Sequence, residues 1–227
     1  MSDDRTDHKF MELAVDEMLL SRTEHGERPD PKVGAVLIDK DGKILGQTHR
    51  GALRDGHHAE YTLIERLLGD KVLDGATIYV TLEPCIKRNP PKKPCVEWIV
   101  KARIGKVFIG MTDPNPDISG RGINYLLKHG VQVQLFPIDL FERITSANKD
   151  FIEYCEMAGR VADIPGDFEG PSAKEREIVK SARLEDLSGP AIRAYLDRRG
   201  AAFAVPSDEL WNFMWKPWMR KVTPAPG

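Results

Sequence analysis

The 227-residue sequence is low in cysteine and in net charge, and it has no long hydrophobic run. Its three cysteines, an odd number, do not suit a disulfide framework and are typical of a reducing compartment where thiols bind metal or catalyse. With 33 basic and 35 acidic residues the net charge is -2, which excludes a chain-wide field for gathering nucleic acid or anionic membrane. Any phosphate-binding surface must therefore be local.

No stretch approaches the roughly 20 apolar residues of a membrane-spanning helix. The first residues, Met1 to Asp4, lack the basic and apolar regions of a signal peptide, so we expect a cytoplasmic protein without a membrane partner. Hydrophobic residues make up 41% of the chain, enough for a buried core, and the length suits one substantial domain with a small extension.

Hydrophobic periodicity predicts alternating helices and strands over residues 1–160. The predicted helices are 9–20, 59–68, 95–101, 122–129 and 140–157, and the predicted strands are 33–38, 43–46, 76–81, 106–110 and 131–135. The first two strands flank Asp41-Gly42, a hairpin turn, and the last two flank a helix, which implies a parallel pair. The fold class is therefore α/β, a three-layer α/β/α domain with a mixed sheet.

Residues 161–227 hold seven of the sixteen prolines and no strand-like run, so we expect a small, Pro-rich helical C-terminal extension. Its tryptophans, Trp211, Trp215 and Trp218, allow two interpretations. They stack on bases of a single-stranded nucleic acid, or they pack against the main domain or a neighbouring subunit. Pro217 interrupts the aromatic stripe, and packing is the favoured interpretation.

Side chains suited to metal binding and proton transfer occur at three places. His58 stands at a predicted helix start two residues before Glu60, Cys85 follows a predicted strand, and Cys95 begins another predicted helix. One imidazole and two thiolates suit Zn²⁺, and three protein ligands leave a fourth position for water, as in catalytic sites. Such a metal lowers the pKa of bound water towards about 7. Glu60 is then placed to carry a proton to a leaving amine.

Structural explanations compete with these functional ones. A surface histidine and two buried cysteines are common without a metal, and acidic residues such as Glu60 are favoured in a first helical turn. Cys155 either completes a four-ligand structural site or packs in the core, and the core is favoured because it lies far along a late helix. The zinc interpretation is favoured for His58, Cys85 and Cys95 because of the motifs around them.

The order His58-Ala59-Glu60, then Pro84-Cys85, then Pro94-Cys95 resembles the zinc-dependent deaminases of the cytidine deaminase superfamily. Nine residues separate the two cysteines where that signature has two. The sequence is most similar to the deaminase domain of bifunctional riboflavin-biosynthesis deaminase-reductases, which also carries a longer, proline-containing excursion there. The likeness runs from about Met11 to Leu135 and includes Pro29 to Val36, Gly56 to Glu60, Gly75 to Cys85, and Asp113 to Pro116 with Gly120 and Gly122.

This resemblance implies a zinc-dependent deaminase domain in residues 1–160, with Zn²⁺ held by His58, Cys85 and Cys95 and Glu60 as the catalytic proton carrier. It implies hydrolytic deamination of an amino-bearing pyrimidine-like base in a small nucleotide or riboflavin-pathway-like substrate, with release of ammonia. It also implies a homo-oligomer, a dimer. Too few residues follow the deaminase domain for the reductase, so we do not expect the bifunctional enzyme.

Six further residues are candidates for substrate contact: Asp30, His57, Asn89, Lys92, Asp113 and Asn115. Asp30 stands where the riboflavin group has Asn, and its carboxylate would repel a phosphate, so substrate choice is expected to differ. The stretch from Ile86 to Lys106 carries seven basic residues and one acidic residue, which is either a phosphate-receiving rim or a solvated surface. Asp113 and Asn115 either line the pocket or only form a turn.

Three functions remain open. The favoured one is deamination of a free, nucleotide-like small molecule. The alternative is a tRNA-type enzyme that deaminates cytosine or adenine within single-stranded DNA or RNA, whose binding would weaken steeply as salt rises. The third is a zinc-stabilised interaction module without activity, which would be favoured if Glu60→Ala left every activity unchanged while zinc remained bound.

Overall fold

The computed structural model describes residues 4–24, 28–115 and 118–162. The chain divides into two compact units, Met1–Ile152 and Glu153–Gly227. The predicted helices of the C-terminal extension and its three tryptophans lie outside the described residues, and the domain boundary at residue 160 stays a prediction.

The described residues form helices and strands in nearly the predicted order. They are α1 (Asp4–Leu19), β1 (Gly34–Ile38), β2 (Ile44–His49), α2 (Ala59–Tyr61) with a π-helical continuation (Thr62–Leu67), β3 (Thr77–Leu82), α3 (Cys95–Lys101), β4 (Lys106–Met111), α4 (Arg121–Lys128), β5 (Gln132–Leu135), α5 (Ile138–Ala147) and α6 (Lys149–Ala162). A π-helical turn next to a candidate ligand is typical of functional sites.

The five strands form one mixed sheet in the order β2-β1-β3-β4-β5. β1 is antiparallel to β2 and β3, whereas β3, β4 and β5 are parallel, as the predicted strand, helix, strand unit requires. Helices α1 and α5 pack together on one face, and α2, α3 and α4 form the other layer. The predicted three-layer α/β/α fold is confirmed.

The core lies between the sheet and the two helical layers, and β1 is buried along its whole length. α1 approaches β1 so closely that a Cβ on Gly34 would lie 2.0 Å from the Ala14 carbonyl oxygen. Only glycine permits this contact. Across the described ranges, no helix combines the length and the hydrophobicity that crossing a membrane requires.

The prediction of one helix over 140–157 is wrong, because the chain breaks between α5 and α6 at Asn148. The Asn148 side chain is buried, and its amide oxygen accepts the Lys32 N–H at 2.7 Å while its amide nitrogen donates to the Lys32 carbonyl at 3.2 Å. An asparagine that satisfies the backbone of a distant segment favours the end of a helix over its interior. β2 also runs further than predicted, to His49.

Candidate metal centre

The start of α2 presents His58 and Glu60. His58 is the extended residue before the helix, and its carbonyl oxygen accepts the Thr62 N–H at 3.0 Å. Glu60 lies in the first turn and is 3% exposed. The predicted helix start at or just after His58 is therefore confirmed. It places the His58 imidazole at the residue before the helix and the Glu60 carboxylate in the first helical turn.

The two candidate thiols come from different elements. Cys85 follows the end of β3, and Cys95 is the first residue of α3. The Cys95 N–H donates to Cys85 Sγ at 3.4 Å, and the Val96 N–H donates to the Cys85 carbonyl at 3.3 Å. The N-terminal turn of α3 therefore faces Cys85, where its free N–H groups favour a thiolate.

The three side chains converge with separations that suit zinc. His58 Nδ1 lies 3.5 Å from Cys85 Sγ and 3.3 Å from Cys95 Sγ, and all three candidate ligand atoms lie within 4.8 Å of one another. A tetrahedral zinc with Zn–N about 2.0 Å and Zn–S about 2.3 Å separates N from S by about 3.5 Å and S from S by about 3.8 Å. These residues fit the ion. Among the described residues they form the only such group, and Cys155 of α6 is not part of it.

Burial and local charge shape the acidities around this cluster. Hydrogen bonds from Cys95 and, to a lesser extent, from His58 lower the pKa of the Cys85 thiol. The pKa of the Cys95 thiol is raised by its hydrogen bond to Cys85 and then by burial. Burial raises the pKa of Glu60, and the charge on His58 offsets this only in part.

Asp113 lies beside the metal cluster. Its side chain is buried, and burial raises its pKa to about 6, with the charges of Glu83 and Cys85 acting in the same direction. The Asn115 N–H donates to Asp113 Oδ1 at 2.9 Å, a local turn that orients the carboxylate. The structure therefore brings Asp113 towards the candidate ligands, with Asn115 adjoining it.

Asp30 belongs to a buried ion cluster with Glu24 and Arg50, and this cluster reaches Gly56, where an added Cβ would lie 3.5 Å from Glu24 Oε2. Asp30 accepts the Glu24 N–H at 2.8 Å, and its other oxygen lies 3.4 Å from an Arg50 guanidinium nitrogen, which also lies 3.2 Å from Glu24. The three side chains are each less than a tenth exposed. Arg50 therefore lies within ion-pair distance of both carboxylates, and burial makes such pairing necessary.

The remaining candidates lie where the loop between the cysteines meets the loop before His58. Arg88 donates to the Gly56 carbonyl at 2.8 Å, and a Cβ on Gly56 would lie 3.5 Å from Lys92 Nζ. Asn89 is exposed, and its carbonyl accepts the Lys92 N–H at 3.1 Å. His57 packs edge to face against the Tyr61 ring. Its pKa is lowered by burial and then by four basic side chains, those of Arg54, Arg66, Lys92 and Arg88.

Three residues of these networks were not singled out from the sequence: Glu83, Arg50 and Arg88. Glu83 is 2% exposed and accepts backbone N–H groups of residues 113–115 and 118–123. The available signal was a charged residue at the end of an otherwise apolar strand. Arg50 and Arg88 carried no local signal, because their partners come from loops distant in sequence.

Comparison with known proteins adds to this geometry. Residues 4–111 match the family model described as the cytidine and deoxycytidylate deaminase zinc-binding region. The chain is 36% identical over 196 residues to the riboflavin biosynthesis protein RibD of Aquifex aeolicus, covering 79% of this chain and 52% of that protein. It is 38% identical over 128 residues to the diaminohydroxyphosphoribosylamino-pyrimidine deaminase of Buchnera aphidicola, covering 55% of this chain and 80% of that protein.

Solved structures give the same picture. A Thermotoga maritima diaminohydroxyphosphoribosylaminopyrimidine deaminase/5-amino-6-(5-phosphoribosylamino)uracil reductase is 34% identical with a TM-score of 0.57, covering 67% of this chain and 42% of that chain. Acinetobacter baumannii RibD is 31% identical with a TM-score of 0.55, covering 66% of this chain and 40% of that chain. The chain thus spans about half, or less, of these longer relatives.

Proposed function

This chain belongs to the cytidine and deoxycytidylate deaminase zinc-binding family, and from that premise we propose that it hydrolytically deaminates an amino-bearing pyrimidine-like base in a small, nucleotide-like molecule. The observation that carries the proposal is the convergence of His58 Nδ1 with the two cysteine sulfurs beside the buried Glu60. The riboflavin-pathway names of the relatives support a pyrimidine substrate.

Zinc is the cofactor of this family, and His58, Cys85 and Cys95 are the residues that would hold it. Bound by one imidazole and two thiolates with a fourth position open, zinc supplies a water of lowered pKa as the nucleophile. The chain contributes the shape of the site. Cys95 is the first residue of α3, and its N–H donates to Cys85 Sγ. Both sulfurs therefore lie at the N-terminus of a helix, which favours the thiolate charge that the ion would require.

Glu60 is the proton carrier in this proposal. Burial raises its pKa, so a proton taken up by the carboxylate is held rather than released to solvent. The carboxyl then passes that proton to the departing amino group, and ammonia leaves as the ring carbon acquires an oxygen. Because Glu60 is the second residue of the helix that begins after His58, one helix start positions both the carrier and the ligand.

A phosphate group on the substrate is the finer part of the proposal. Four basic side chains act together on His57, the residue directly before the ligand His58. Arg88 ties the loop between the cysteines to Gly56, and Lys92 lies at the same junction. Clustered cations beside a metal pocket favour a phosphate ester. The Glu24 carboxylate lies at the same junction, as near to a Cβ on Gly56 as Lys92 Nζ is, and would offset part of this positive charge.

The activity is tested by ammonia release from a panel of pyrimidine bases, nucleosides, nucleotides and single strands, with Glu60→Gln as the blank. We expect release from at least one free pyrimidine compound by the wild type and a loss of about 1,000-fold in the variant, the range for general acid-base groups. Zinc content should stay equal in both proteins. Release from none of the free compounds overturns the proposal.

The phosphate is tested by comparing a nucleoside with its monophosphate in Lys92→Ala. An exposed ion pair contributes about 0.2–1 kcal/mol, so KM for the monophosphate should rise about 1.4-fold to 5-fold and KM for the nucleoside should not change. Lys40→Ala, an exposed lysine in the β1–β2 turn, is the matched control and should change neither. Equal changes for nucleoside and monophosphate contradict this assignment.

We also propose a dimer and a cytoplasmic location. None of the three cysteines, all in the described part of the chain, forms a disulfide, which supports a reducing compartment. Sedimentation of the zinc-loaded protein over a range of concentrations checks the dimer, and a monomer at every concentration contradicts it.

A further inference from the structure

A second buried carboxylate, Glu83, lies two residues before Cys85 and has no role in the proposed chemistry. It is 2% exposed at the point where the chain leaves β3. A buried carboxylate is costly unless it is paired or hydrogen-bonded, so its partners define what it does.

The partners of Glu83 are backbone N–H groups of residues 113–115 and 118–123, which lie between the end of β4 and the first turn of α4 and are called the β4–α4 segment below. The donors are Asp113 at 3.1 Å and Gly120 at 2.9 Å to Oε2, and Gly122 at 2.7 Å and Ile123 at 3.2 Å to Oε1. Three of them belong to the residue before α4 and its first turn, where helical N–H groups lack partners inside the helix and favour negative charge. One side chain therefore fastens both ends of the segment.

The segment also packs against the backbone that leads to the metal ligand. A Cβ on Gly122 would lie 2.3 Å from the Pro84 carbonyl oxygen and 3.0 Å from Glu83 Oε1. There is no space for a side chain between the start of α4 and Pro84. Since Pro84 directly precedes Cys85, the position of the segment is fixed relative to a candidate zinc ligand.

Asp113 and Asn115 lie at the beginning of this segment. The Asp113 N–H is held by Glu83, and the Asp113 carboxylate is held by the Asn115 N–H. Asp113 is close enough to Cys85 and His58 for the charges of both to act on its carboxyl. The two substrate-contact candidates are therefore placed by a hydrogen-bond chain that starts at Glu83.

We propose that Glu83 is a positioning residue of the deaminase, whose carboxylate holds residues 113–115 and 118–123 against the Pro84 backbone so that Asp113 and Asn115 face the substrate. This inference rests on the proposed deaminase function. Glu83 touches neither the ion nor the substrate and acts through these two residues. Misplacement of substrate-positioning groups by about 1 Å costs up to about 100-fold in rate.

The test uses the zinc-loaded full chain with Glu83→Gln, which keeps the shape but turns one acceptor oxygen into a donor facing N–H groups. Asp7→Asn is the matched control, since it makes the same chemical change at another buried carboxylate. Asp7 belongs to α1, in the helical layer on the opposite face of the sheet from α4, and accepts the hydroxyl of Tyr79 of β3. The measurements are zinc content, KM and kcat, and hydrogen exchange at the amides of Asp113, Gly120, Gly122 and Ile123.

We expect Glu83→Gln to retain zinc, to lose protection at the four amides and to raise KM about 10-fold, with a smaller fall in kcat. Asp7→Asn should leave the four amides and KM unchanged. Unchanged exchange at these amides overturns the proposal whether or not the wild type is active. Lost protection with unchanged KM and kcat also overturns it, because Glu83 would then be purely structural. A wild type without activity refutes the deaminase function and, with it, this inference.

Two further variants guard against a folding failure. Glu83→Asp keeps the charge for the α4 N-terminus and shortens its reach by one methylene group, so it should show the same pattern more weakly. In a background that carries both Asp113→Ala and Asn115→Ala, Glu83→Asp should have little further effect on KM, because Glu83 acts through these two side chains. A further rise in KM as large as in the wild-type background contradicts the proposed route.

Discussion

Glu60 and Glu83 are both buried, and each is two residues from a candidate zinc ligand, Glu60 after His58 and Glu83 before Cys85. Their surroundings differ. Glu83 accepts four backbone N–H groups and is fixed from both sides. At Glu60 burial outweighs the charge on His58 and the local hydrogen bonds, so its pKa is raised.

The comparison shows that the donors around a buried carboxylate decide its use. A carboxylate saturated with N–H donors is stabilised as an acceptor and holds backbone in place. A carboxylate that burial dominates binds a proton more readily and can exchange it with a reacting group. In the proposed mechanism the same residue type therefore fastens backbone in one region and carries a proton in the neighbouring one.

The largest effect should come from removing a zinc ligand. Cys95→Ser replaces a thiolate with a hydroxyl that binds zinc weakly, so we expect loss of stoichiometric zinc and of ammonia release. The amides bonded to Glu83 should stay protected, because their acceptor is the Glu83 carboxylate. Metal analysis and hydrogen exchange measure both outcomes. Loss of protection at those amides would show that the metal site and the residues held by Glu83 are coupled, which contradicts the comparison.

The next effect concerns the stability of the zinc-loaded protein. Glu83→Gln should lower the free energy of unfolding by about 2–4 kcal/mol, because hydrogen bonds to a charged acceptor contribute about 1.5–3 kcal/mol each and N–H groups are left facing a donor. Glu60→Gln should change it by less than about 1 kcal/mol, since it removes a charge that burial disfavours. Denaturant unfolding of both variants measures the difference, and equal losses contradict the comparison.

A third carboxylate, Asp7, extends the comparison to the α1 layer, where it accepts the Tyr79 hydroxyl and has Lys106 Nζ at 4.0 Å. Tyr79→Phe removes one neutral donor and leaves Asp7 its other interactions, so we expect a loss of about 1–2 kcal/mol in unfolding free energy. Deaminase activity at saturating substrate should not change. A drop in kcat would show that the α1 layer is coupled to the metal centre.

The smallest effect is a pH dependence. Burial, followed by Asp7, raises the pKa of Tyr79 above its ordinary value of about 10. The stability from the neutral hydroxyl is fully present below about pH 10 and is lost as pH rises from there towards the folded-state pKa. Wild-type unfolding free energy should fall between pH 10 and 11, and Tyr79→Phe should fall less steeply. Parallel curves contradict the assignment.

Much of the fold was predictable from periodicity. The strands and helices over 33–135 were placed to within a few residues, because half-buried strands and helices repeat their apolar residues at different intervals. The break at Asn148 was missed, because its cause is the backbone of Lys32, far away in sequence. The helix after Ala59 was predicted as regular, whereas it becomes π-helical from Thr62.

The candidate site divides in the same way. His58, Glu60, Cys85 and Cys95 were identified from residue type and spacing, because zinc chemistry demands those side chains. Glu83 lies inside the motif from Gly75 to Cys85, but its role was not predicted. The four backbone N–H groups that it accepts belong to residues distant in sequence, so the residues next to Glu83 do not indicate them. Asp30 was proposed as a substrate contact from its position between two prolines, and its pairing with Arg50 emerged only in three dimensions.

The sequence by itself determined the kind of chemistry and the layered fold, because ligand types and hydrophobic periods are local properties of the chain. Only the tertiary structure decided what each buried charge does. A carboxylate's role depends on the donors and the water around it, and those come from segments that are distant in sequence and meet only when the sheet and its two helical layers assemble.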